Sequence, residues 1–304
     1  MSLSVPQTRK ENRIRRTFGS RAFDVFNVIF MLLFLLVTLY PFWYVVIVSL
    51  SDGKAVLSGQ VSLWPVNITL DTYRVVLRDS SIITGFKNTV IYTSLGTFIN
   101  LVCTSLCAYP LSRPDLLGKK QVMGMIVFTM FFSGGMIPAY LVMNQMQLID
   151  TIWAMVLPGA ISTYNMIVMR TFFMGIPESL HESACLDGAN DWQVLVRIVL
   201  PLSMPIMATM LLFYAVGHWN SYMNALLYLN SKSLFPLQSI LRNMVVDGQL
   251  SEAQTQVGGG SSFTVIETTM KYATIVVSTL PILLIYPFVQ KYFVKGVMIG
   301  SIKG

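Results

Sequence analysis

Two groups of side chains in this 304-residue chain have the types and spacing to do chemistry. One is a charged stretch between apolar runs, Glu182-Ser-Ala-Cys-Leu-Asp-Gly-Ala-Asn-Asp-Trp-Gln-Val-Leu-Val-Arg-Ile-Val-Leu-Pro201. The other is His218, Trp219, Asn220, Tyr222 and Asn224, one helical turn and more beyond Tyr214. Covalent or acid–base chemistry needs paired carboxylates, a His-rich motif or a nucleophile beside a base, and none stands at the ends of the apolar runs. Nucleotide hydrolysis needs Gly-x-x-x-x-Gly-Lys-Ser/Thr, and the nearest stretch, Gly258-Gly-Gly-Ser-Ser262, has no lysine. Cys103 and Cys107 share a helix face, but no His, Asp or Glu nearby completes a metal site, so they read as small packing residues. What remains is recognition: docking of another protein on the charged stretch, and polar or stacking contacts from the aromatic cluster.

The elements that carry these groups are set by composition. Hydrophobic residues make up 54% of the chain and charged residues 12%, with a mean hydropathy of +0.63, which makes the bilayer its solvent. A helix needs roughly 20 apolar residues to cross the hydrocarbon core. Six runs reach that length, at about 22–49, 86–111, 122–142, 152–173, 204–229 and 272–293. Ser112-Arg113-Pro114 closes the second with a charge and a helix breaker. The connections are too short for a soluble domain, so the chain reads as one integral membrane domain. Its parts are a basic segment 1–21, a first span 22–49, a loop 50–85, a core 86–293 holding the charged loop 177–201, and a tail 294–304.

The formal charge of +7 follows topology. Arg9, Lys10, Arg13, Arg15, Arg16 and Arg21 precede the first span; Arg113, Lys119 and Lys120 lie between the second and third; Lys291, Lys295 and Lys303 lie at and beyond the end of the sixth. The positive-inside rule puts these segments, the stretch from Arg170 to Pro201 and both termini in the cytosol. Basic charge spread this way does not read as a nucleic-acid surface. The first span is too long for a signal-peptide core and reads as an anchor, and the basic segment before it reads either as an amphipathic helix on anionic lipid or as a topology-setting tail. Cys185, on the cytosolic side, is expected to stay reduced.

Within the charged stretch, Pro177 and Glu178 read as a helix start, with Glu178 and Glu182 where the helix dipole favours negative charge. Gly188 supplies a left-handed C-terminal position. Asn190 and Gln193 have capping-box spacing for a second helix that ends at Pro201. Leu180, Ala184 and Asp187 share one side of the first helix, and Trp192, Leu195, Val196 and Val199 form a stripe on the second. Small residues at Ser183, Ala184 and Ala189 leave room for a partner's side chains. The alternative is an interfacial hairpin packed only on its own spans.

In the fifth run, His218 with Tyr222 and Asn220 with Asn224 have the four-residue spacing of one helix face. Polar groups inside membranes are costly and often functional, and aromatic rings suit sugar faces, so Trp219, Asn220, Tyr222 and Asn224 are candidates to line a pathway. Hydrogen-bonded packing near the interface is the alternative. Gly134, Gly135 and Pro138 mark a hinge or a packing kink, and Arg170 reads as an anchor whose guanidinium reaches the interface. The segment 231–267 is the longest connection, either a partner contact or a bare linker.

Glu182, Ala184, Asp187, Gly188, Ala189, Ile198, Leu200 and Pro201 resemble the EAA signature of permease subunits in type I ATP-binding-cassette importers, with Ser183 a small-for-small departure from the second position. From about Gly85 onward the chain is similar to the maltose-type carbohydrate permeases. Ser133-Gly-Gly-Met-Ile-Pro138, Asn165-Met-Ile-Val-Met-Arg-Thr-Phe-Phe173 and Gln290-Lys-Tyr-Phe-Val-Lys-Gly-Val-Met-Ile-Gly-Ser-Ile-Lys-Gly304 resemble the branch that takes complex oligosaccharides, alginate fragments among them. The resemblance implies an all-α fold of six transmembrane helices with a cytoplasmic coupling helix, in a bacterial inner membrane. It implies a second permease subunit, cytoplasmic ATPase subunits that bind ATP and Mg, and an extracytoplasmic solute-binding protein, with no cofactor in this chain. Glu182 would face a basic group of the ATPase, Gly188 would permit the bend, and Ser183, Ala184, Asp187 and Ala189 would complete the docking surface. A stand-alone sugar carrier or channel is the other reading; an ion-coupled carrier would be expected to hold intramembrane carboxylates, and the middles of the six runs hold none.

Overall fold

The structure, a computed structural model, describes residues 18–255 and 269–287. The basic segment before Phe18, Gly258–Ser262 and the C-terminal stretch from Gln290 lie outside the described residues. Among the described residues every regular element is helical. Three helices are long and apolar enough to cross a membrane: α1 (Phe18–Ser49), α4 (Ser80–Ser112) and α15 (Thr269–Pro287). Short helices α2 (Gly53–Leu57) and α3 (Asp71–Val76) join the first two. The start of α4 is set by Asp79, whose carboxylate accepts from the Ser81 and Ile82 amides and the Ser81 hydroxyl, satisfying orphan donors of the first turn.

The other expected spans are broken, the third and fourth at glycine or proline residues that interrupt a helical ladder. The third divides into α5 (Lys119–Phe131) and α6 (Met136–Gln145), bent by 113°; the glycines lie at the break, and Gly135 has a φ of +86° that a side chain would resist. The fourth divides into α7 (Ile152–Val156) and α8 (Thr163–Phe173) around Pro158-Gly159, because proline has no amide for the ladder. The fifth divides into α12 (Met204–Trp219) and α13 (Met223–Tyr228). The helical stretch Asp191–Leu202 meets α12 at 84°. Among the described residues there are three candidate spans, or up to five if each bent pair counts as one. The segment after Ser231 is also not a bare linker, since it holds a further helix, α14 (Leu237–Thr255).

α4 is the axis on which the rest is hung. It packs on α12, α8, α14 and α7, and its interior face is small and polar rather than bulky. Gly85 and Gly96 let neighbours approach, so a methyl group at Gly96 would lie 2.4 Å from the His218 ring. Asn100 accepts from His218 Nε2 at 2.6 Å and donates to the Gly159 carbonyl, which the Pro158 break leaves open. Thr104 and Tyr214 hydroxyls pair at 2.7 Å, and the Tyr214 oxygen accepts from the Ser162 amide. The fourth span's break is thus satisfied by side chains of α4 and α12, as a low-dielectric interior demands.

Candidate functional site

The charged loop folds as its local signals dictate. Helix α9 (Glu178–Leu186) starts after Pro177 and ends at Asp187. Gly188 follows with a φ of +80°. The Gly188 amide donates to the Cys185 carbonyl and the Ala189 amide to the Ala184 carbonyl, the paired bonds of a Schellman termination. Asn190 then caps the next helix: the Gln193 amide donates to Asn190 Oδ1 at 2.9 Å, and the Asn190 amide donates to Gln193 Oε1 at 3.0 Å. That helix runs as α10 (Asp191–Val194), a π-turn at Leu195–Val199 and α11 (Leu200–Leu202). The Leu200 amide reaches back to the Leu195 carbonyl; a wide turn of this kind suits the approach to Pro201, which has no amide to give to a normal ladder.

Burial divides the signature residues into two sets. Glu182, Ser183, Asp187 and Gly188 are exposed. Ala184 is 8% exposed and packs with Tyr109, Phe173, Leu195 and Ile206, and half-buried Ala189 sits against the same core. Ala184 is thus turned toward this chain's own helices, where its smallness lets α9 lie close to them. The stripe on the second helix is also shifted. Val194, Leu195 and Val199 are buried, whereas Trp192 is 61% exposed and Val196 is exposed too. Leu186, 90% exposed, adds to the apolar surface beside the acidic residues. Next to it, Leu106, Tyr109, Arg113, Leu117, Trp192 and Leu195 contribute to a groove of 540 Å³.

Three cationic or imidazole groups hold this unit and the end of α4, and only His181 among them had no role in the sequence reading. Arg113, just beyond α4, lies 3.7 Å from Glu178, 3.6 Å from Asp115 and 3.0 Å from His181 Nδ1. A guanidinium only donates, so Nδ1 accepts and Nε2 carries the ring proton toward Asp191, 3.5 Å away. Arg170 donates from Nε to the Leu111 carbonyl at 2.7 Å, closing the C-terminus of α4 as a cation there should. The contacts of His181 with Cys185 and Asp191 and of Arg113 with Asp115 are local; those of Arg113 with Glu178 and His181 and of Arg170 with Leu111 span 59 to 68 residues of sequence.

The aromatic cluster is dispersed by the break after α12. His218 and Tyr222, and Asn220 and Asn224, do not share a helix face, because the helix stops at Trp219. Trp219 is 8% exposed; its indole donates to the Ser278 carbonyl at 3.1 Å and its ring meets Phe86 edge-on at 5.9 Å. It packs inside the chain. Asn220 is exposed and donates to the Val216 carbonyl, Asn224 is half-buried, and Tyr222 is exposed beside Arg242 of α14. This region lies at the opposite end of α4 from the charged loop: Asn88, near the start of α4, donates to the Ser233 and Phe235 carbonyls. From Asn88 to Arg113 the helix rise gives about 37 Å, enough to carry one site on each side of a bilayer.

Comparison with known proteins identifies the family and the fold. Residues 3–299 match the model of a family described as binding-protein-dependent transport system inner membrane component. The polygalacturonan/rhamnogalacturonan transport system permease protein YtcP of Bacillus subtilis (strain 168) is 44% identical over 286 residues, covering 94% of this chain and 99% of YtcP. Protein LplC of the same organism is 39% identical, covering 96% and 98%. A chain in the crystal structure of a bacterial ABC transporter involved in the import of the acidic polysaccharide alginate superposes with a TM-score of 0.82 at 36% identity, covering 91% and 98%. A second chain, from a bacterial alginate ABC transporter crystallised with its pentasaccharide-bound periplasmic protein, shares the fold at a TM-score of 0.56 and 16% identity.

Proposed function

The chain belongs to the binding-protein-dependent transport system inner membrane component family, and from that premise we propose that it is the permease subunit of an ABC importer that brings polysaccharide fragments across a bacterial inner membrane. The substrate class is supported by the relatives, whose names specify polygalacturonan and rhamnogalacturonan, arabinooligosaccharides, and alginate. Family membership sets aside the stand-alone carrier. The proposed topology has six spans, the bent and broken pairs each counting as one, with both termini in the cytosol as the basic residues require.

In this reading α9 is the coupling helix. The observation that carries it is the pairing of an exposed acidic and apolar surface (Glu182, Ser183, Asp187, Leu186, Trp192) with buried Ala184. A rigid lever needs both: a face for a partner and a face locked to the spans it moves. Ala184 and Ala189 transmit, Gly188 turns the chain, and Glu182 and Asp187 meet basic groups of a cytoplasmic ATPase subunit that binds ATP and Mg. A second permease subunit completes the pathway, to which Asn220, Tyr222 and Asn224 contribute while Trp219 buttresses them from within. A solute-binding protein docks at the far end, on the loop 50–85 and the segment that includes α14. The test is reconstitution in liposomes with the partner permease, ATPase and binding protein. Uptake of a polysaccharide fragment with fragment-stimulated ATP hydrolysis is expected, and stimulation that survives deletion of α9 would overturn the lever.

A further inference from the structure

A small recess lies at the end of the fold opposite α9. Tyr222, at the break after α12, and Arg242, in α14, come together with the guanidinium carbon 6.0 Å from the ring centroid. With Leu229, Phe235, Ser239 and Asn243 among their neighbours they line a cavity of 130 Å³. Two features set it apart from ordinary surface. Arg242 is exposed and, among the described residues, has no carboxylate partner. Ser239 is 8% exposed and its hydroxyl has no hydrogen-bond partner, which is uncommon for a buried polar group. A cation, a buried hydroxyl, an amide and an aromatic ring therefore line one recess.

We propose that this recess is a subsite for one uronate residue of an acidic oligosaccharide. The planar guanidinium of Arg242 suits a carboxylate, to which it offers two parallel N–H donors. The Ser239 hydroxyl and the Asn243 amide complete the polar contacts to the carboxylate or the ring hydroxyls. The Tyr222 ring lies against the apolar face of the pyranose, and the aromatic contact also holds the guanidinium in place. The recess is too small for a chain, so it takes a single sugar unit and leaves the rest of the oligosaccharide to other surfaces. Specificity arises because a neutral sugar leaves Arg242 without its anion. The inference rests on the reading of the chain as an oligosaccharide permease and deepens it by naming the charge of the substrate and the residues that meet it.

The experiment uses the permease pair with its ATPase in detergent, without binding protein, and measures equilibrium binding of three probes: oligogalacturonate, alginate oligosaccharide, and oligogalacturonate with its carboxyls methyl-esterified. Wild type is expected to bind an acidic probe roughly ten- to hundredfold more tightly than the ester, the range for a charged hydrogen-bond partner. Arg242→Gln is expected to bring the acidic probe down to the ester's affinity, with Arg242→Lys in between; which acidic probe binds distinguishes the two uronate sources. Equal affinity of wild type for acid and ester, a preference that survives R242Q, loss of acid and ester binding together in R242Q, or no binding of any probe by wild type would each overturn the subsite. Uptake in liposomes tests the importer reading independently, so uptake with no carboxylate preference sinks the subsite alone.

Discussion

Arg113 Nη2 lies 3.0 Å from His181 Nδ1, and this contact ties the end of the longest buried helix, α4, to the exposed helix α9. The same guanidinium lies 3.7 Å from Glu178, so one side chain holds two positions of α9 near its N-terminus. Arg113 is mostly buried, which makes the contact less subject to solvent screening than an open ion pair.

Arg113→Gln is expected to loosen α9 without unfolding the spans. A net hydrogen-bond contribution of about 0.5–1.5 kcal/mol corresponds to roughly a two- to thirteenfold rise in amide exchange. Hydrogen exchange over residues 178–187 checks this, and unchanged protection would remove Arg113 from the account.

At Gly188 the decisive quantity is backbone conformation rather than crowding. Nothing lies within 4 Å of a side chain built there, but φ is +80°. A β-branched residue pays about 1–2 kcal/mol for a left-handed conformation, whereas asparagine visits it readily. Gly188→Val is expected to abolish fragment-stimulated ATP hydrolysis in the assembled importer and Gly188→Asn to keep most of it. Equal loss in both would point to a need for open space.

Gly96 presents the opposite case. Alanine in a helix interior is normally favoured over glycine by about 1 kcal/mol, yet here its methyl would lie 2.4 Å from a ring held by Asn100. Overpacking of this kind costs about 1–3 kcal/mol, so Gly96→Ala is expected to lower the thermal midpoint in detergent. His218→Ala in the same background removes the clash, and a smaller Gly96→Ala effect there is the check.

Asp150 accepts from the Asn230 and Ser231 amides and the Ser231 hydroxyl. These bonds, the Ser231 hydroxyl first, hold its carboxyl below the usual carboxylate range. A depressed folded-state value means the stabilisation is complete above the unfolded value, about 3.9, and is lost as pH falls through the folded one. Asp150→Asn is therefore expected to lower stability near neutral pH, with the gap to wild type closing below about pH 4. A gap that stays constant with pH would show the carboxylate charge to be irrelevant.

Much of the charged loop was legible from neighbouring residues alone. Gly188 after Asp187, and Asn190 three residues before Gln193, are signals that act within one turn, and each formed as spacing predicted. The breaks in the spans were only partly legible. Gly134-Gly135 and Pro158-Gly159 stand in the sequence, but hydropathy sums transfer preference over a window and is blind to a ladder interrupted inside it.

The sequence by itself determined that this is a membrane protein with a capped, charged helix pair between spans, because apolar content and helix ends are local quantities. Only the tertiary structure decided that Ala184 faces inward, that the Arg170 guanidinium meets the Leu111 carbonyl at the end of α4, and that Trp219 packs within while Tyr222 meets Arg242. The physical reason is that a polar or small side chain between helices is placed by whichever donor, acceptor or surface the topology brings to it. Such partners are tens of residues away in sequence, where spacing carries no information.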